Sequence, residues 1–224
     1  MGGDVKYKDI SGPDGVPDGV IDDYDKTNIG SPMPKFTFGW TNTFRYKNFD
    51  LSVFINGSYG NKVYNYLSMK LTHMNSPWTN QLNAVNGRAQ LVPINPNKVY
   101  EDGTMWYNDV SNVMVANPGA SIPRATINDP NDNDRISDRY IEDGSYIRLK
   151  NISLGYTFPK KTIDKLGLSN LRIYANIQNL LTITGYDGYD PEIGASTSSV
   201  NVYGLDNGRY PSPTVYSFGL NVSF

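Results

Sequence analysis

Between Asp14 and Asp25 the chain concentrates carboxylates, glycines and prolines in one short stretch. On a twelve-position calcium loop, Asp14 takes position one, Asp18 position five, Gly19 the turn, Val20 the backbone carbonyl, Asp22 position nine and Asp25 position twelve. Hard oxygen ligands at that spacing suit Ca²⁺. Val16 stands at position three, where an oxygen is expected, and Asp25 reaches less far than a glutamate would. Asp9 offers a ligand in a second register, with Pro13 and Pro17 marking an insertion. The same residues also make an ordinary solvated turn cluster, because Asp, Gly and Pro favour turns.

Other chemistry is scarce. His73 is the single histidine, which excludes a multi-His zinc site and a His-based triad apart from that one position. It stands in a polar stretch and is expected to be exposed. With no cysteine there is no disulfide, thiolate metal site or cysteine nucleophile. Asp187 with Asp190 and Glu192, and Glu142 with Asp143, are carboxylate pairs, but nothing in their spacing sets two across a substrate as glycoside hydrolysis requires. They read as polar loop residues, and no catalytic residue is assigned. Trp78, Trp106, Tyr107, Tyr186 and Tyr189 suit stacking on sugar rings or packing loops together, and no substrate site is assigned from them.

Composition narrows the class. A net charge of -2 gives no field for capturing nucleic acid. Seventeen tyrosines, eight phenylalanines and three tryptophans accompany only 19% charged residues. Amphipathic rings in that number suit a surface half apolar and half wet, such as a membrane interface or a glycan-binding face. No apolar run reaches the roughly 18 residues of a transmembrane helix. The opening Met1-Gly2-Gly3-Asp4 lacks the basic and apolar regions of an export signal, so a fragment of a longer exported chain is expected.

Period-two patterning predicts about five long strands. Residues 1–34 read as an Asp-rich loop. From Lys35 to Tyr46 the side chains of Phe36, Phe38, Trp40, Phe44 and Tyr46 share a face, and Phe49 to Tyr59 repeats the alternation after a turn at Lys47-Asn48. The pattern lapses from about Asn61 to Arg139, apart from a short helix expected over Val63 to Leu71. Tyr140 to Phe158 is the next strand. Its apolar phase switches between Leu149 and Ile152, which places a bulge near Lys150-Asn151. After a turn with a helical piece (Pro159 to Asn170), Leu171 to Leu181 alternates again. Thr214 to Phe224 ends the chain, with Tyr216, Phe218, Leu220, Val222 and Phe224 on one face.

Alternation alone fits a soluble sandwich with a buried apolar face, or a membrane barrel with a lipid-facing one. Loop lengths favour the barrel. Short connections alternate with long ones, as in barrels with short periplasmic turns and long extracellular loops. About five strands cannot close a barrel, and an open edge in lipid is not viable, so a larger barrel is required.

The chain resembles one end of the TonB-dependent outer-membrane receptors of the starch-utilisation (SusC/RagA) type, nutrient importers of Bacteroidetes. The resemblance lies in Gly3 to Asp9 (GDVKYKD) with Asp18 to Asp25 (DGVIDDYD), and in Tyr140 to Asn151 (YIEDGSYIRLKN). It continues in Asn176 to Thr182 (NIQNLLT) with Gly188 to Glu192 (GYDPE), and in the closing Tyr210 to Phe224. It implies an all-β, antiparallel transmembrane barrel fragment: five strands of a 22-stranded barrel, with 1–34 an extracellular loop, 35–224 strands and loops, and the plug absent. It further implies an outer-membrane location, a lipid surround and the TonB motor. Its partners would be a SusD-like surface lipoprotein for oligosaccharide or peptide capture, and the barrel assembly machinery, which would read the terminal strand through Phe224. No enzyme activity is implied. The alternative from another class is a soluble, calcium-stabilised glycan-binding sandwich.

Overall fold

The computed structural model describes residues 2–193 and 202–224. Among these residues, ten strands and two short α-helices follow in chain order: β1 (Phe36–Tyr46), β2 (Phe49–Tyr59), β3 (Lys62–Asn65), α1 (Tyr66–Thr72), β4 (Leu91–Pro93), β5 (Val113–Val115), β6 (Ile141–Asp143), β7 (Tyr146–Thr157), α2 (Lys160–Ile163), β8 (Asn170–Thr184), β9 (Leu205–Asp206) and β10 (Val215–Ser223). The chain forms two compact units. Gly30–Asn65 with Ile141–Phe224 make one, and Met1–Ile29 with Tyr66–Tyr140 the other. The N-terminal stretch therefore folds with the long connection after β3 and is not an independent loop.

The strand unit is built on an open antiparallel sheet of order β1-β2-β7-β8-β10. Register makes its faces continuous. Trp40 opposes Ile55, Phe44 opposes Leu51 and Tyr46 opposes Phe49. Across the next ladder Phe49 meets Tyr156, Leu51 meets Leu154 and Val53 meets Ile152. These continue through Leu154 to Ala175 and Tyr156 to Ile173, then through Ala175 to Phe218 and Ile173 to Leu220. Both ladders of β7 slip at Lys150, so Ile147 and Leu149 rejoin the same apolar row as Ile152. Without that bulge a one-residue slip would send half the strand's apolar side chains to the wrong face. In β8 the slip is accommodated at Asn179, which adopts φ 52°.

No other strand layer covers this apolar face among the described residues, and Trp40 (59% exposed), Phe218 (84%) and Leu220 (61%) stand open. A soluble sandwich would bury them. Aromatic rings gather toward its two ends. Phe49, Tyr156 and Phe158 meet beside the short turns, with centroid separations of 4.7 and 5.0 Å, and Phe36 packs on Tyr59 at 5.4 Å at the other end.

On the polar face, Arg172 of β8 reaches across β7 to Asp50 of β2 (Nη2 to Oδ2, 2.6 Å). It passes over Gly155, where an added Cβ would come within 2.6 Å of the Asp50 carboxylate. On the apolar face Phe38 lies over its cross-strand partner Gly57, where a Cβ would sit 2.5 Å from the ring. In both places glycine lets a large neighbour bridge the ladder. A second, three-stranded sheet of order β6-β3-β9 stands at the long-connection end of the same unit.

The other unit buries Met69, Ala89 and Tyr140 beside a network of buried polar groups. Asn133, 1% exposed, accepts from Val5 N (2.7 Å) and donates to Asp4 (3.2 Å) and Asp129 (2.5 Å). Arg124 closes the chain onto Asp4 at 2.8 Å. Burial pushes the Asp4 carboxyl up, but the hydrogen bonds from Arg124 and Asn133 outweigh it and hold the group below its usual range. Residues 61–139 thus carry β3, α1, β4 and β5 in place of an unstructured loop. The helix expected over Val63 to Leu71 begins only at Tyr66, because Val63 is taken up in the β3–β6 ladder.

Candidate functional site

The polar end of β7 carries the most demanding electrostatics of the strand unit. Arg148 is 2% exposed and Asp190 is 7% exposed. A guanidinium is kept in such a place only when its donors are met. Arg148 Nε donates to Thr182 Oγ1 at 2.9 Å, Nη1 to Glu192 Oε2 at 2.7 Å, and Nη2 to Asp190 Oδ1. Lys150, the bulged residue, donates to the same Glu192 oxygen at 2.9 Å. Asp190 Oδ2 accepts from Ser212 N (3.0 Å), and its Oδ1 accepts from Glu192 N (2.9 Å). Burial raises the Asp190 carboxyl, and the Arg148 and backbone donors more than reverse that, leaving it below the ordinary range.

Two neighbouring contacts tie the same connection down. Tyr186, 5% exposed, donates to Asp206 Oδ2 at 2.5 Å, and burial together with that carboxylate pushes its phenol well up. Glu142 accepts from Asn65 (2.8 Å) and from Asp187 N (2.9 Å). The signature at Tyr140 to Asn151 and the one at Gly188 to Glu192 are therefore two halves of one cluster. The carboxylates of Asp190 and Glu192 are ion-pair partners that hold a loop, and they do not face each other across an open substrate cleft. Tyr186 packs the loop, whereas Trp78 and Tyr189 remain exposed.

His73 is a correction. It is 6% exposed, not open to solvent. Its Nε2 lies 2.8 Å from Asp129 Oδ2 and its Nδ1 3.3 Å from Asp134 Oδ2. The three side chains are the one group among the described residues with metal-ligand atoms within 4.8 Å of one another. The two carboxylates engage opposite nitrogens of the ring. The arrangement is a clamp joining the end of α1 to the 129–134 segment.

The Asp-rich stretch is arranged differently from its twelve-position reading. Asp9, Asp14, Asp18, Asp22 and Asp25 do not bring three ligand atoms within that same distance. Asp25 accepts from Ile10 N (2.7 Å), Ser11 N (3.2 Å) and Asp22 N (2.9 Å), and these donors lower its carboxyl. Asp22 caps Tyr24 N, and Asp18 accepts from Val20 N. Asp9 accepts from Gly19 N at 2.6 Å and lies against Asp25, yet its Oδ1 is buried with no partner among the described residues.

At the end of the chain, β10 pairs with β8 over nine residues, and Tyr216, Phe218, Leu220 and Val222 all stand exposed on its apolar row, with Phe224 following. These features define a segment of an antiparallel β wall, apolar on one side and polar on the other. The chain is 35% identical over 228 residues to TonB-dependent receptor P3 of Formosa agariphila, covering 100% of this chain and 19% of the relative. It is 29% identical over 209 residues to TonB-dependent receptor SusC of Bacteroides thetaiotaomicron, covering 92% of this chain and 17% of that protein. Among solved structures, the RagAB peptide importer in its closed-closed state superposes with a TM-score of 0.65 at 21% identity, over 95% of this chain and 20% of that one. At that identity the likeness is one of fold. No family model matches the chain. Over nearly its whole length the chain is homologous to one part of TonB-dependent receptors, SusC of Bacteroides thetaiotaomicron among them. It spans about a fifth of the length of the curated relatives it matches.

Proposed function

We propose that this chain is part of the membrane wall, with attached extracellular loops, of an outer-membrane TonB-dependent nutrient importer, and that it is not an enzyme. The observation that carries this reading is the apolar row running unbroken through all five strands and left uncovered. From Phe49 to Tyr59 a strand extends about 33 Å, which projects to about 25 Å at a tilt of about 40°, the height of an outer-membrane apolar band. The aromatic groups at both ends of the sheet match interfacial girdles. In this reading the polar face lines the lumen, the Arg148 cluster lies at the extracellular end, and the rest of a 22-stranded barrel, a plug and TonB come from the remainder of a longer chain and its partners. A SusD-like lipoprotein then captures the oligosaccharide or peptide above it.

Circular dichroism and size-exclusion chromatography in plain buffer and in detergent test the reading. Ordered β-structure in a monodisperse peak is expected only with detergent or with the rest of the barrel. A compact β monomer in plain buffer would sink the proposal. Residues Tyr216 to Phe224 are assigned the assembly signal. Deleting Ser217 to Phe224 from the complete receptor is expected to abolish its insertion, and normal surface display of the truncated receptor would refute the assignment.

Calcium is proposed for the Asp-rich stretch, with Asp14, Asp18, Asp22, Asp25 and the Val20 carbonyl as candidate ligands and Asp9 beside them. The ion would neutralise carboxylates that now lie against each other and would supply the partner Asp9 Oδ1 lacks. Adding calcium is expected to protect residues 9–25 from proteolysis, and Asp9→Asn to remove that protection. Identical cleavage with calcium and with chelator would overturn the assignment.

A further inference from the structure

A cavity of about 570 Å³ opens in the strand unit between the long-connection ends of β1, β2 and β7 and the segments flanking Glu192 and Arg209. Asn61 is part of its buried floor, Tyr146, Lys150 and Glu192 form a wall, and Tyr203 and Arg209 stand at its rim. Its charges are not balanced from within. The single carboxylate on the wall, Glu192, gives one oxygen to both Arg148 and Lys150. Lys150 uses one of its three donors there. Arg209 binds Asp206 through its backbone N–H (3.3 Å), while its guanidinium has no hydrogen-bond or ion-pair partner among the described residues. Asp206 is itself satisfied by Tyr186, Gly208 N and Arg209 N. Arg209, with five planar donors, thus lines a cavity that Tyr146 and Tyr203 also line, a residue set that suits a carboxylate held bidentately.

We propose that this cavity is a subsite for a carboxylate group of the imported nutrient, held by the Arg209 guanidinium with Lys150 behind it and Tyr146 and Tyr203 flanking the group that bears it. The inference rests on the importer reading above and narrows its substrate to acidic nutrients. An acidic sugar and an acidic peptide present the same group, and the probes separate them. Binding of trigalacturonate and of triglutamate, each beside its methyl ester, is measured by calorimetry on the complete receptor in detergent. At least one acid is expected to bind more tightly than its ester and to weaken with added salt. Arg209→Gln should cost that acid about tenfold or more and leave the ester unchanged, while Arg209→Lys should recover part of the loss. Which acid responds identifies the source. Acids and esters binding alike, or an acid affinity within about twofold of the unmodified receptor in Arg209→Gln, would overturn the subsite while the importer reading stands. A receptor that never enters the outer membrane would remove both.

Discussion

At the scale of the residue, the decisive feature is a charge placed where water cannot reach it. Arg148 has one conformation's worth of partners, and Asp190 depends on it. Replacing Arg148 with Leu strands Asp190 and is expected to cost about 3–5 kcal/mol, whereas Arg148→Leu with Asp190→Leu should recover part of the loss because no buried charge remains unpaired. Denaturant midpoints of the detergent-folded receptor read the difference. The pH dependence follows from the depressed Asp190 carboxyl. Its contribution is complete above the unfolded value near 3.8 and is lost as pH falls through the lower folded value. The Arg148→Leu variant should therefore lose less of its remaining stability on acidification to about pH 3. None of this was readable from local pattern, since Arg148 and Asp190 stand 42 positions apart. The same holds for His73, whose burial depends on Asp129, 56 residues away. A lone polar side chain in a polar stretch carries no periodic signal, and only the folded chain supplies its partner.

At the scale of the element, parity did most of the work. The phase switch between Leu149 and Ile152 marks the bulge at Lys150 from the sequence alone, and β1, β2, β8 and β10 lie within a few residues of their alternating runs. Short elements escaped because three residues show no period, as in β4 and β5, and β6 reads as continuous with β7 although the two belong to different sheets. The bulge makes a pair of deletions informative. Removing Lys150 leaves Leu149 next to Asn151, so β7 alternates without interruption against β2 and keeps every apolar side chain on its face. Removing Ser153 puts Ile152 beside Leu154 and sends one arm of the strand to the polar face. The receptor lacking Lys150 is expected to assemble, without the ion pair from that residue to Glu192, and the receptor lacking Ser153 to fail. Heat-modifiable migration on gels distinguishes them, and equal behaviour of the two would contradict the register.

At the scale of the whole molecule, the five-stranded sheet ends on both sides in strands with one ladder each, β1 and β10. Under the proposed barrel reading such a sheet needs more chain around it, by the simple count of strands that a closed wall requires. The sequence did not show that the N-terminal stretch folds with the long connection after β3, because Asn133 collects partners from both ends of that unit. The two bare edges have a thermodynamic consequence. Each offers a row of backbone donors and acceptors to any extended segment, so the order of the sheet in an isolated copy of this chain is expected to depend on what pairs with them. Its order is a mass-action quantity: dilution should melt it, crowding in a micelle should sharpen it, and the missing neighbours, added in trans as strands, should act on it as ligands do.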